Sequence, residues 1–294
     1  MKAKLSMDER LFNFIGGGFV LFIALLCVVP FIMVISGSVS SEASILASGY
    51  SLFPREFSLD AYKVIFTNAS EVVNAYAITI ITTIIGTILG LFITSMTAYV
   101  LQRQDFKWRN VFAYFFYFTM LFSGGLVPTY IFMIELGMKN NILALILPQL
   151  LSVFNLFIIR NFMKTIPPAL TEATKIDGAG DFTIFIKVIL PLSKPALATI
   201  GLFMGLMYWN QWYHTMLYVS DSRLYNLQYY LYNMLSSEEA RRTMMVNSGM
   251  AMPVMPAESV KLAMVVIATG PIIFLYPFVQ KYFIKGITIG AVKG

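Results

Sequence analysis

Six stretches of this chain, 11–38, 72–101, 111–134, 142–159, 196–219 and 262–280, are strongly apolar and contain no Asp, Glu, Lys or Arg. A bilayer-crossing helix needs about 20 such residues, so all six are long enough, the fourth only just. Only 12% of the 294 residues are charged and 58% are hydrophobic, whereas an ordinary soluble domain is about 25% charged. The alternative is a large soluble protein with buried helices apolar all round. Six charge-free blocks would leave such a protein almost no helix surface to face water. The expected fold is therefore all-α: a polytopic membrane protein with six transmembrane helices, forming one domain over 1–294.

An even number of spans puts both termini on one side, and positive charge marks which side that is. The N-terminal arm, the loops 102–109 and 160–194 and the tail from Lys281 carry 14 Lys and Arg against 6 acids, a net +8. The other three connections carry 7 against 9, a net −2. Both termini and the 160–194 loop are expected in the cytoplasm. The block 11–38 is too long for a cleavable signal peptide, and losing it would leave five spans. The basic excess, pI about 9.2, is spread over short loops without an aromatic-interleaved patch. It points to topology and membrane lipid, and not to nucleic acid.

Several chemistries are excluded by missing groups. The single cysteine, Cys27, rules out an intrachain disulfide framework, and one Cys with one His leaves no realistic zinc ligand set. The spans hold no paired carboxylates, His-Glu-x-x-His, Gly-x-Ser-x-Gly or Cys-His pair, so an intramembrane enzyme lacks its acid, base or nucleophile. No phosphate-binding Gly-x-x-x-x-Gly-Lys-Ser/Thr loop occurs, so any ATP must be bound by another chain. The spans also lack the acids that proton-coupled carriers place in the membrane. Sodium-coupled carriers can use carbonyls and hydroxyls alone, which keeps an ion-coupled secondary transporter open as the alternative. A membrane scaffold or sensor without transport is a third class.

The segment 170–195 is polar between two apolar blocks. Pro167 and Pro168 should end the extension of the fourth span, Thr171 can cap a new helix, and Glu172 then sits in its first turn, where the helix dipole favours an acid. Gly178 and Gly180 make continuation costly by roughly 1 kcal/mol each relative to Ala. Phe182, Phe185 and Ile186 resume a helical pattern before Pro191 and Pro195. A short helix parallel to the membrane is expected.

Glu172-Ala173-Thr174, Asp177-Gly178-Ala179-Gly180 and Val188-Ile189-Leu190-Pro191 together resemble the EAA loop of the permease subunits of bacterial ABC importers. Thr174 stands where alanine is usual and Val188 where isoleucine is usual. Phe122-Ser123-Gly124-Gly125-Leu126-Val127-Pro128-Thr129-Tyr130, Tyr208-Trp209-Asn210-Gln211-Trp212 and the tail 286–294 are similar to the carbohydrate branch of these MalG-type permeases, the first of them to the LplC/YtcP-like subgroup linked to complex oligosaccharides.

The resemblance implies a type I importer permease that is not itself an enzyme. It would pair with a second homologous permease, an ATPase dimer that carries the ATP and Mg, and an extracytoplasmic sugar-binding protein. It would bind no cofactor of its own. It implies that the loop docks on the ATPase: Glu172 and Asp177 would meet basic or amide groups, Ala173 and Ala179 would permit close approach beside Thr174, Gly178 would allow the turn, and Leu190 and Pro191 would tie the loop to the fifth span. Without the full spacing, the same residues would read as a solvated loop with a capping acid.

In the fifth block, Trp209, Asn210, Gln211, Trp212 and Tyr213 form a candidate substrate pathway, because sugars stack on rings and bond to amides. The other reading makes the amides interhelical links and the rings an interfacial belt. His214, near the outer end, reads as structural. Gly124 and Gly125, with Ser123 and Pro128, should bend the third span. Two large outer connections, 39–71 and 220–261, are the candidate contacts for a binding protein. The second holds Glu238, Glu239, Arg241 and Arg242 and a Met-rich stretch, Met244 to Met255, which read as a docking surface or as a solvated loop.

Overall fold

The computed structural model describes residues 7–247 and 257–291. In chain order the helices are α1 (Met7–Ser38), α2 (Glu42–Ser48), α3 (Asp60–Ile65), α4 (Ala69–Gln102), α5 (Arg109–Leu121), α6 (Leu126–Glu135), α7 (Leu143–Ile146) and α8 (Val153–Met163). They continue as α9 (Pro168–Ile176), α10 (Asp181–Ile184), α11 (Leu190–Leu192), α12 (Lys194–Trp209), α13 (Tyr213–Tyr218), α14 (Leu227–Asn247) and α15 (Glu258–Ala291). The architecture is all-α; among the described residues no strand occurs, only a lone bridge between Ser40 and Phe57. The described residues fall into two compact units, divided between Ala69 and Ser70, Asn233 and Met234, and Pro271 and Ile272.

In the first unit, α1 exposes its apolar side chains from Leu11 to Ile32 almost without interruption. That surface is costly in water and costs nothing in hydrocarbon. Packing begins at Ser36, Gly37 and Ser38, all buried. A Cβ on Gly37 would lie 2.3 Å from Leu262 Cδ1, so the glycine is what lets α1 meet α15 there. The connection after α1 is built and not slack. The buried Glu42 carboxylate accepts from the N–H groups of Glu258 and Ser259 and from the Ser259 hydroxyl, each at 3.0 Å. It thereby satisfies donors at the α15 N-terminus that have no intrahelical partner. Tyr50 Oη donates to Glu258 Oε2 at 2.9 Å.

The second unit is organised on α4. Two of its hydroxyls bond within the helix, Thr79 to Ala75 O at 2.9 Å and Thr82 to Ile78 O at 2.8 Å, so those two need no water. Gly86 and Gly90 admit α12: a Cβ at either would lie 2.4 Å from the Tyr208 ring or 2.2 Å from Met204 Cε. Tyr208 is 1% exposed, and its hydroxyl donates to Ile146 O at 2.8 Å. Leu156, Ile159 and Met163 of α8, Ile200 and Met204 of α12, and Ala98 and Leu101 of α4 form the core beside it.

Among the described residues, two helices are long and apolar enough to cross a membrane unbroken, the 11–38 part of α1 and α4. Three helix pairs pass the same test but are bent: α5 with α6 by 114°, 143–149 with α8 by 49°, and 181–192 with α12 by 82°. The sixth apolar block lies within the 34 residues of α15. The third, fourth and fifth blocks are thus not single rods. Gly125, with φ +87°, turns the third at Phe122–Gly125. Pro148 lies in a 3-10 turn that ends the first half of the fourth, and Ser152 caps the second half. The fifth stops at Trp209 and restarts at Tyr213.

Candidate functional site

The segment 168–192 departs from the sequence expectation at its start. The helix begins at Pro168, whose fixed φ suits a first helical position and whose missing N–H would be unpaired there anyway. Thr171 is therefore inside the helix, donating to Pro168 O at 2.7 Å, and Glu172 lies in the second turn, so neither residue caps it. The helix ends in a Schellman motif. Gly178 has φ +82°, its N–H donates to Lys175 O at 3.0 Å, and the Ala179 N–H donates to Thr174 O at 3.2 Å. The Thr174 hydroxyl is bonded to Leu170 O at 2.7 Å, so the departure from alanine adds no free polar group.

One side of the segment is locked to its own unit. Ile184, Phe185 and Ile189 are buried against Leu156, Ile159 and Met163, and Ala179 and Leu190 pack on the same cluster. The Phe185 ring lies 5.5 Å from Tyr99 and 6.1 Å from Phe92. Phe182, Ile186 and Pro191 are exposed, so the attachment rests on Ile184, Phe185 and Ile189 more than on the Leu-Pro pair. An ionic lattice adds to it: Arg103 pairs with Asp105 and, at 2.7 Å, with Asp181, while Lys175 reaches Asp105 at 3.0 Å. The hydrogen bond from Arg103, helped by that from Lys175, holds the Asp105 carboxyl well below the usual carboxylate range, against the opposing effect of partial burial.

The other side is free. Glu172, Ala173, Ile176 and Asp177 are exposed on one helical face, and Ile176 is 87% exposed. Sequence reasoning missed Ile176. Its signal was available as an apolar residue four positions after Glu172 in an otherwise polar helix.

The break after Trp209 has the opposite character. Trp209 is buried. The Asn210 Nδ2 group donates to Leu206 O at 3.0 Å, and its Oδ1 accepts from Gln228 Nε2 at 3.4 Å. Asn226, buried and absent from the sequence expectation, donates to both Gln211 O and Gln211 Oε1 and accepts from the Tyr229 N–H. Gln211 Nε2 is buried without a partner among the described residues. The exposed Trp212 ring lies 4.9 Å from Tyr232 and 5.9 Å from Tyr213. His214 is bonded to Gln149 at 2.9 Å.

In the third block, the Ser123 hydroxyl accepts from Gly125 N, and Thr129 donates to Gly125 O at 2.7 Å. Pro128 falls in the first turn of α6, so the turn belongs to Gly124 and Gly125 and not to the proline. In the second outer connection, Glu238, Glu239, Arg241 and Arg242 lie on α14. The Met-rich stretch from Ser248 onward and the tail from Val292 lie outside the described residues. Among the described residues no group of three His, Cys, Asp or Glu could hold a metal.

No protein-family model matches the chain. It is 40% identical over 288 residues, 98% of this chain and the whole of the relative, to the polygalacturonan/rhamnogalacturonan transport system permease protein YtcP of Bacillus subtilis (strain 168). It is 39% identical over 281 residues, 96% of this chain and 92% of the relative, to protein LplC of the same organism. Among solved structures it is similar to a chain of a bacterial ABC transporter involved in the import of the acidic polysaccharide alginate. The TM-score there is 0.80 at 30% identity, with 95% of this chain and 99% of the other covered.

Proposed function

This chain belongs to the permease subunits of bacterial sugar ABC importers, in the YtcP and LplC subgroup, and on that premise we propose that it translocates an acidic oligosaccharide handed over by an extracytoplasmic binding protein. It is a membrane protein and a permease, not an enzyme; ATP hydrolysis belongs to a separate ATPase. In the proposed assembly a second, homologous permease completes the pathway, and an ATPase dimer binds ATP and Mg. Six spans leave both termini in the cytosol, as the charge distribution requires. The acidic substrate class is supported by one relative named for polygalacturonan/rhamnogalacturonan transport and by the structural neighbour from an alginate importer.

The observation that carries the mechanism is the two-sided character of α9. Lys175 ties α9 to Asp105 and Asp181, and the buried Phe185 anchors the segment that follows it, so a force on the helix reaches α4, α8 and α12. Its outer side offers Glu172, Ala173, Ile176 and Asp177 to a groove on the ATPase. Closure of the ATPase on ATP would then rock the spans between inward-open and outward-open states. Trp212 and Tyr213, both exposed, offer ring faces to a passing sugar.

The test is ATPase activity of the reconstituted complex with binding protein loaded with acidic or neutral oligosaccharides. Stimulation by the acidic load, abolished by Glu172→Lys with Gly178→Asp, is expected. Normal uptake by a stably expressed double variant would refute the coupling role.

A further inference from the structure

We propose that a cavity at the ends of α4, α8 and α9, carrying the guanidinium groups of Arg109 and Arg160, binds the phosphate headgroup of an anionic lipid from the cytosolic leaflet. The cavity measures about 580 Å³ and lies within the second unit. Five cations and two carboxylates line it. Arg103, Lys175 and Asp105 are already joined with Asp181 in the ionic lattice described above. That leaves Arg109, Arg160 and Lys164 on the wall against Glu172 alone, an excess of two positive charges.

Neither arginine has a carboxylate partner among the described residues. Arg160 uses Nε on Leu101 O at 3.1 Å and lies over the Phe157 ring, and Arg109 uses Nη1 on Arg103 O at 3.2 Å. A guanidinium has five N–H donors, so most of those on this pair lack a protein acceptor. Both side chains are half-buried, and the Arg109 charge opposes that of Arg160. Two like charges held together with spare donors are stabilised by a shared anion, and a phosphate matches the guanidinium fork.

The position selects lipid over a soluble anion. Leu101 ends the second apolar block, Arg109 precedes the third and Arg160 follows the fourth, so three block ends meet at headgroup level. The remaining wall is backed by Tyr99, Met163 and Ile189 of the core, so the cavity sits directly against the apolar interior of the unit and not on a polar surface. The leaflet assignment rests on the topology proposed above.

The whole importer complex, purified and exchanged into mixed phosphatidylglycerol and phosphatidylcholine nanodiscs, is released for native mass spectrometry to count retained lipid. Wild type should retain phosphatidylglycerol selectively. Arg109→Gln and Arg160→Gln should each lower its retention roughly five- to tenfold, whereas Lys139→Gln, on the opposite side, should not. Arg109→Lys with Arg160→Lys, which preserves charge and assembly, should fall between. Four outcomes would overturn the proposal: unchanged retention in the double glutamine variant, equal retention of phosphatidylcholine, full displacement by inorganic phosphate, or retention only after the ATPase is removed. The side of the membrane is read separately, by impermeant thiol labelling of Gln104→Cys in a Cys27→Ser background. Labelling only after permeabilisation supports the cytosolic leaflet, and labelling of intact cells overturns that assignment and the topology together.

Discussion

The 168–192 segment and the 209–232 region carry similar inventories of polar and apolar side chains, yet they use them in opposite ways. In the first, carboxylates and an isoleucine stand free on a helix whose back is bolted down. In the second, Asn210 and Gln211 accept from Gln228 and Asn226, so the amides join the break after α12 to the start of α14. A polar side chain in an apolar protein is available to a partner only when its own chain leaves it unpaired. That condition is visible in geometry and not in residue type.

The largest effect is expected where the free face is shaped. Gly178→Asp puts a side chain at φ +82°, at about 1–2 kcal/mol for a left-handed non-glycine residue, and adds a charge beside Asp177. ATPase stimulation by loaded binding protein should fall to its basal level while the permease still assembles in the membrane. Next, Ile176→Asp should weaken association with the ATPase by roughly tenfold or more, since burying such a side chain contributes about 1.5–3 kcal/mol. Titration of the ATPase onto permease nanodiscs would measure this, and unaltered affinity would remove Ile176 from the contact.

The joined region should respond in stability first. Asn226→Ala leaves the Gln211 groups and the Tyr229 N–H without their partner and should cost about 1–3 kcal/mol, read as a lower unfolding temperature of the complex. If instead stability is kept and sugar transport is lost, the contrast between the two regions fails, and Asn226 belongs to the substrate path. Asn210→Ala, at an exposed site with one bond inside its own helix end and one long bond to Gln228, should change stability by less than about 1 kcal/mol.

The smallest effect concerns pH. The folded Asp105 carboxyl titrates well below its ordinary value of 3.8. The stabilisation from its pairing is therefore complete above that value and is lost as pH falls below it. Asp105→Asn should flatten this acid limb of the stability profile, with little change at neutral pH because the pair is exposed to solvent.

Legibility followed the range of the physics involved. The glycine at Gly178 was readable as a helix stop because a left-handed C-terminal residue is a local requirement. Pro168 misled in the opposite direction, since the same ring that ends one helix can begin the next. Ile176 was legible in principle and overlooked, being a single residue against a polar background. Asn226 was out of reach, because nothing between 211 and 226 announces that the chain returns to the same place.

The sequence by itself determined the all-α membrane class, the charge asymmetry between alternate connections and the presence of the EAA-type motif. All three depend on composition and spacing within segments of about 20–30 residues. Only the tertiary structure decided that the third and fourth apolar blocks are bent pairs and the fifth is interrupted after Trp209, that Glu42 caps a helix beginning at Glu258, and that Arg109 and Arg160 share a cavity. These depend on contacts between residues far apart in the chain. Burial and the choice of hydrogen-bond partner are properties of that packing, so no local pattern encodes them.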